Sequence, residues 1–153
     1  MKLFFWQKER SFFTPEERQL IVDAVRHAEH RTSGEIRVYV ESRCKYVDAI
    51  DQAAEIFFGL QMDQTADRNA VLLYVAMKDH QLAIFADEGI YQKLGQEYWN
   101  DEIKIMISNF NQDDYASGIR QCVTDIGEAL HEHFPFDNKT DKNELPDDIV
   151  FGR

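Results

Sequence analysis

The chain has 153 residues, 44% of them apolar, which suits one domain with a true core that buries roughly two thirds of its unfolded surface. A net charge of −11 argues against nucleic acid or an anionic membrane as the main partner, because both need a basic footprint; it favours solubility and cations. Two cysteines, Cys44 and Cys122, lie far apart with no CxxC, so no disulfide framework or zinc knuckle is indicated and a reduced, cytoplasmic protein is expected.

The N-terminal stretch MKLFFWQKER carries only the short apolar patch Leu3–Trp6. A secretory core needs about 7–15 apolar residues and a membrane span about 20; the patch has neither, and no run of about 20 occurs in the sequence. The patch reads as a segment packed onto the domain or mobile, with an amphipathic surface anchor as the alternative. Thr14-Pro15-Glu16-Glu17 is a helix start: Thr14 suits the N-cap, Pro15 the first helical position, and Glu17 completes a capping box. Leu20, Ile21, Ala24, Val25 and Ala28 follow at helical spacing, which predicts a helix from about Pro15 to Arg31. Glu35–Glu41 alternates apolar with polar and predicts a strand. Val47 to Leu60 returns to helical spacing through Val47, Ile50, Ala54, Phe57 and Phe58. Two apolar runs, Ala70–Ala76 and Leu82–Ala86, flank the polar stretch 77–81 and read as a hairpin. A helical turn over Gly89–Leu94 is broken by Gly95. Glu97–Asn109 reads as a helix with Trp99, Ile103, Met106, Ile107 and Phe110 on one face. Asp113 or Asp114 caps a long helix to about His133, and Pro135 stops it.

The fold class expected is α/β, an α/β/α sandwich with a mixed central sheet, a β-hairpin and helices on both faces. The domain boundaries expected are an N-terminal segment at 1–13, a domain at 14–135 and a mobile tail at 136–153.

Chain direction gathers charge at one rim. If the hairpin turn centres between Lys78 and Asp79, Asp87 falls opposite Ala70 and Glu88 opposite Asn69, with Asp67 within a residue or two. The first strand runs parallel to the second, so Glu35 starts at the same rim. Glu35, Asp67, Asp87 and Glu88 are the candidate metal ligands, and Arg68 and Asn69, lying among them, are candidate ligand-binding residues. Partly dehydrated carboxylates this close repel, so a divalent cation, Arg68 or a shared proton should offset them. Oxygen-only ligands favour calcium or magnesium over zinc. The competing reading is that these are solvated loop and helix-cap residues, since acidic residues suit helix N-termini. His27 and His30 share a helix face, His131 and His133 sit near a helix end, and Cys44 lacks a phosphatase-loop arginine; each reads as structural. No GxSxG, P-loop or GxGxxG is present.

The order helix, GEIRVYVE, helix, DRNAVLLYVAMKDHQLAIFADEG, two helices resembles the TPM domain, a family named for a thylakoid lumen phosphatase-like protein, a photosystem II repair protein and a nematode receptor modulator. The likeness spans about Phe12 to Phe134. Its most specific parts are Ser33–Val38 and Arg68–Leu73 through Asp87–Ile90. Many members have a Gly-x-Gly run where this chain has Ala86-Asp87-Glu88-Gly89, a form similar to the short soluble bacterial branch. The resemblance implies an α/β/α sandwich and a divalent-cation site at Asp67, Asp87 and Glu88, with Glu35 nearby. An acid phosphatase activity is attributed to a plant relative.

The function expected is a binding or regulatory module loaded with calcium or magnesium at the rim. The alternative is a metal-dependent, acid phosphatase-like phosphohydrolase in which Arg68 holds a phosphoryl oxygen and a carboxylate acts as base. A third reading is an adaptor that meets an unknown protein partner through its aromatic N-terminal patch or acidic tail. A monomer with no membrane span and no nucleic-acid partner is expected.

Overall fold

A computed structural model describes residues 12–136 and 149–152 of the chain. The N-terminal patch Leu3–Trp6 lies outside the described residues. Five helices and four strands follow in the order α1 (Pro15–Glu29), β1 (Glu35–Glu41), α2 (Ala49–Gly59), a short 3-10 turn (Met62–Gln64), β2 (Ala70–Ala76), β3 (Gln81–Ala86), α3 (Glu88–Leu94), α4 (Gln96–Phe110), α5 (Tyr115–His133) and β4 (Val150–Phe151).

The strands form one mixed sheet in the order β3-β2-β1-β4. β1 is parallel to β2 and to β4, whereas β2 and β3 form the antiparallel hairpin. Ala76 pairs with Gln81, so the turn centres between Lys78 and Asp79 as the sequence indicated, and Glu35 stands opposite Ala70. This is the α/β fold with helices against a mixed sheet.

Side-chain alternation divides the core into two layers. Ile36, Val38, Val40, Val71, Leu73, Val75 and Ile84 pack with the apolar stripes of α1, α4 and α5. The opposite face, through Leu72, Tyr74 and Phe85, packs against Ala53 and Phe57 of α2 and against Met62. β2 is buried along its whole length, which matches its unbroken apolar sequence.

The helix starts follow their local chemistry. Thr14 accepts from the Glu17 N–H at 3.1 Å while Glu17 accepts from the Thr14 N–H at 2.9 Å, so the capping box at the head of α1 is complete. Asp114 caps α5.

Three expectations change. α2 begins at Ala49, and its buried residues are Gln52, Ala53 and Phe57; Ile50 and Phe58 are about half exposed and Val47, outside the helix, is 93% exposed. The apolar residues outnumber the positions that touch the sheet, so periodicity alone placed the stripe wrongly. In α4 the buried residues are Trp99, Glu102, Met106 and Phe110, while Ile107 is exposed. Of the segment expected as a mobile tail, residues 137–148 lie outside the described residues, and its end forms β4: Tyr39 pairs with Val150 and Val40 with Phe151. Phe12 stacks on Phe151, and the Gly152 N–H donates to the Val40 carbonyl at 2.7 Å, which gives this two-residue strand its anchorage. No helix among the described residues is long and apolar enough to cross a membrane.

Candidate functional site

The rim at the start of β1 and β2 is built by one close crossing of the chain. The Asp87 N–H donates to the Ala70 carbonyl at 2.9 Å and extends the hairpin ladder by one pair. Asp87 then serves as N-cap of α3, its Oδ1 accepting from the Glu88 N–H at 2.8 Å. One residue on, the Gly89 N–H donates to the Arg68 carbonyl at 2.9 Å. A Cβ on Gly89 would lie 2.2 Å from the Asp67 carbonyl oxygen and 2.6 Å from that of Arg68. Only glycine admits this approach, because the atoms in the way are backbone. It presses Asp67-Arg68 against Asp87-Glu88-Gly89.

Arg68 sits in the left-handed region, with φ of 51°, and turns its guanidinium onto Asp87. Nε donates to Oδ2 and Nη2 to Oδ1, both at 2.7 Å, a two-pronged match of planar fork to carboxylate. Nη1 also reaches Glu88 Oε1 at 3.5 Å. Asp87 is 3% exposed, whereas the Arg68 side chain is 39% exposed. The hydrogen bonds to Asp87, with the charges of Asp87, Glu88 and Asp63, raise the Arg68 pKa above its already high value. Of the three ways the sequence left open to offset the negative rim, the structure uses Arg68.

The other candidates divide. Asp67 and Glu88 are exposed and join Asp87 on the rim. Glu35 is 2% exposed and stands two strands from Asp87, with Ala70 between them. Across the width of β2 the two backbones are about 10 Å apart. Its charge acts on Arg37, whose pKa is lowered by burial and supported by Glu29 and Glu35. Asn69 is 1% exposed and braces the loops: its Nδ2 donates to Ser33 Oγ at 3.2 Å and its N–H to Thr65 Oγ1 at 3.3 Å. Among the described residues, no three His, Cys, Asp or Glu side chains are assembled to hold a metal ion.

Two polar clusters lie elsewhere. At the far end of β1 and β2, the buried Glu41 carboxylate accepts from Gln52 Nε2 at 3.0 Å and from the Tyr74 hydroxyl. Burial, then that hydrogen bond, pushes the tyrosine pKa far up. Between α4 and α5, Glu102 is 5% exposed and lies beside Asp125. Burial, then the Asp125 charge, pushes its pKa up to about 8. Sequence reading passed over Glu102, although it lies three residues after Trp99 and four before Met106, on the helix face those two define.

A TPM domain model matches residues 7–129, so the chain belongs to the TPM domain family. Among solved structures it is similar to the BA42 protein of the psychrophilic bacterium Bizionia argentinensis, at 38% identity and a TM-score of 0.84, covering 92% of this chain and 96% of that one. The N-terminal domain of the cg2496 protein from Corynebacterium glutamicum shares the fold alone, at 14% identity and a TM-score of 0.58 over 79% of this chain and 76% of that one. No curated protein matches.

Proposed function

We propose that this TPM domain is a binding or regulatory module of the reducing cytoplasm, whose rim takes calcium or magnesium in exchange for the Arg68 guanidinium. The carrying observation is the Gly89 crossing, which pins Asp67, Asp87 and Glu88 to one edge. The donor chemistry suits a hard ion, being oxygen alone, and the net charge of −11 draws cations to it. In the closed arrangement both Asp87 oxygens are engaged by Arg68. Binding therefore requires Arg68 to turn out through its exposed side and free Asp87.

The same closed fork weighs against the phosphohydrolase alternative, since the carboxylate best placed to act as base is already bound. Calcium titration of the whole chain, followed by amide shifts, tests the cation reading. Residues 67–69 and 87–90 should move saturably at millimolar metal, Arg68→Gln should tighten binding several-fold, and Asp87→Asn should abolish it. No saturable movement in either the natural chain or Arg68→Gln overturns the reading.

A further inference from the structure

β3 is a sheet edge: among the described residues no strand covers its outer side. The Asp87 N–H points to β2, so alternation turns the backbone of Phe85, Ala83 and Gln81 to β2 as well. The N–H and C=O groups of Leu82, Ile84 and Ala86 therefore face outward. Exposed edges are ordinarily blunted by charge, proline or a bulge. Gln81–Ala86 has no charged residue and no proline, and its register with β2 is unbroken.

The flanks are apolar too. A cavity of about 510 Å³ runs along β3 between Ile50 at the head of α2 and Trp99 and Ile103 of α4. Ile50 and Phe58 are exposed beside it, and Phe58 meets Phe85 edge-on at 5.7 Å between ring centroids.

The order of side chains along the edge indicates what fits it. Pairing β3 antiparallel with itself about Ile84 sets Leu82 against Ala86, Ala83 against Phe85 and Ile84 against Ile84. On both faces away from the axis a large side chain meets a small one. All three outward N–H groups of each strand then find a carbonyl. Slipping the register by two residues in either direction leaves an outward group unpaired, and in one direction opposes Phe85 to Phe85. This self-complementarity is what a two-fold interface requires. We propose that two copies of this chain join β3 to β3 about a two-fold axis at Ile84, giving one continuous sheet in place of the monomer expected from sequence.

Each copy carries −11, so association strengthens as salt screens the repulsion. Sedimentation equilibrium of the full chain, from micromolar to millimolar, should show the mass rise from one copy towards two, more so at high salt. In a mixed-label sample, the Hα protons of Ala83 and Phe85 should show a contact between copies, since that pair sits at the close, non-hydrogen-bonded spacing. Leu82→Lys should weaken association ~tenfold or more, because it sets an ammonium group on the edge where the second strand must lie. Ala86→Pro removes an outward N–H without breaking a β2–β3 bond and should act the same way; amide spectra check that both variants fold. A chain that stays monomeric at millimolar concentration and high salt overturns the proposal. So does a dimer without the Ala83–Phe85 proximity, or protected Leu82, Ile84 and Ala86 amides in a monomer, which would mean that the chain covers its own edge. Should either variant fail to fold, the Hα proximity between copies in the natural chain decides.

Discussion

Asp87 and Glu102 are almost equally buried, at 3% and 5% exposure, yet their surroundings solve the burial of a carboxyl group in opposite ways. Asp87 meets a guanidinium fork and caps a helix N-terminus. Glu102 meets Asp125, feels the charge of Asp101 as well, and keeps its proton to about pH 8. At Glu102 burial is the largest cause of the rise and the charge of Asp125 adds to it, whereas Asp87 has a cation set against it. The rim is thus a place where one cation is already present, and the α4–α5 seam a place where a proton fills that role.

The largest expected effect breaks the rim itself. Gly89→Ala would put a Cβ 2.2 Å from a backbone oxygen that has no rotamer to escape into, so the crossing must part. A loss of about 3 kcal/mol is expected from urea unfolding, at the upper end of the usual overpacking range. Amide shifts should concentrate at 67–69 and 87–90. A loss under about 1 kcal/mol would mean that the two backbones can separate cheaply.

The seam gives the next effect. Glu102 holds its proton more tightly folded, near pH 8, than at its ordinary value of 4.5. The stabilisation is complete below the ordinary value and is lost as pH rises through about 8. Stability should therefore fall by roughly 2 kcal/mol between about pH 5 and about pH 9. Glu102→Gln keeps the size and the neutral charge, so its curve should be flatter and it should be the more stable chain at the alkaline end. An unchanged slope in that variant would place the titration elsewhere.

Asp87 carries two jobs that substitution can separate. Asparagine still caps a helix, whereas alanine does not, so Asp87→Ala should lie about 1 kcal/mol below Asp87→Asn in unfolding free energy. Both lose the charge that holds the fork. Equal stability of the two would show that the cap contributes nothing beside the ion pair.

Much of this was legible in the sequence, for physical reasons that differ by element. The hairpin register followed from two apolar runs and a polar gap, and it carried Asp87 to Ala70 without any knowledge of side-chain contacts. The fork was not legible. It depends on Arg68 adopting a left-handed backbone, and on Gly89 lacking the Cβ that would hold residues 67 and 68 away. Glu35 begins at the rim that strand order indicates, but its burial and the action of its charge on Arg37 were not legible from strand ends. β4 escaped notice because two residues carry no period, and its place is secured by distant partners, Tyr39 and Phe12.

The smallest effect on stability is the sharpest test of the rim. Glu88 is exposed, 64% for its side chain, and its 3.5 Å approach to Arg68 is long. A solvated pair of this kind contributes little, since water and salt screen it and two long side chains lose freedom to form it. Glu88→Gln should leave the urea midpoint unchanged within error. The same change removes one of the three proposed ligands Asp67, Asp87 and Glu88, so calcium-dependent amide shifts at 87–90 should need markedly more metal to saturate. Asp87 alterations cannot make this distinction, because they disturb cap, fork and ligand together. Glu88 touches the proposed ligand set and almost nothing else, so an unaltered calcium titration in Glu88→Gln would leave Asp67 and Asp87 to hold the ion, and an altered midpoint would show that its approach to Arg68 is structural.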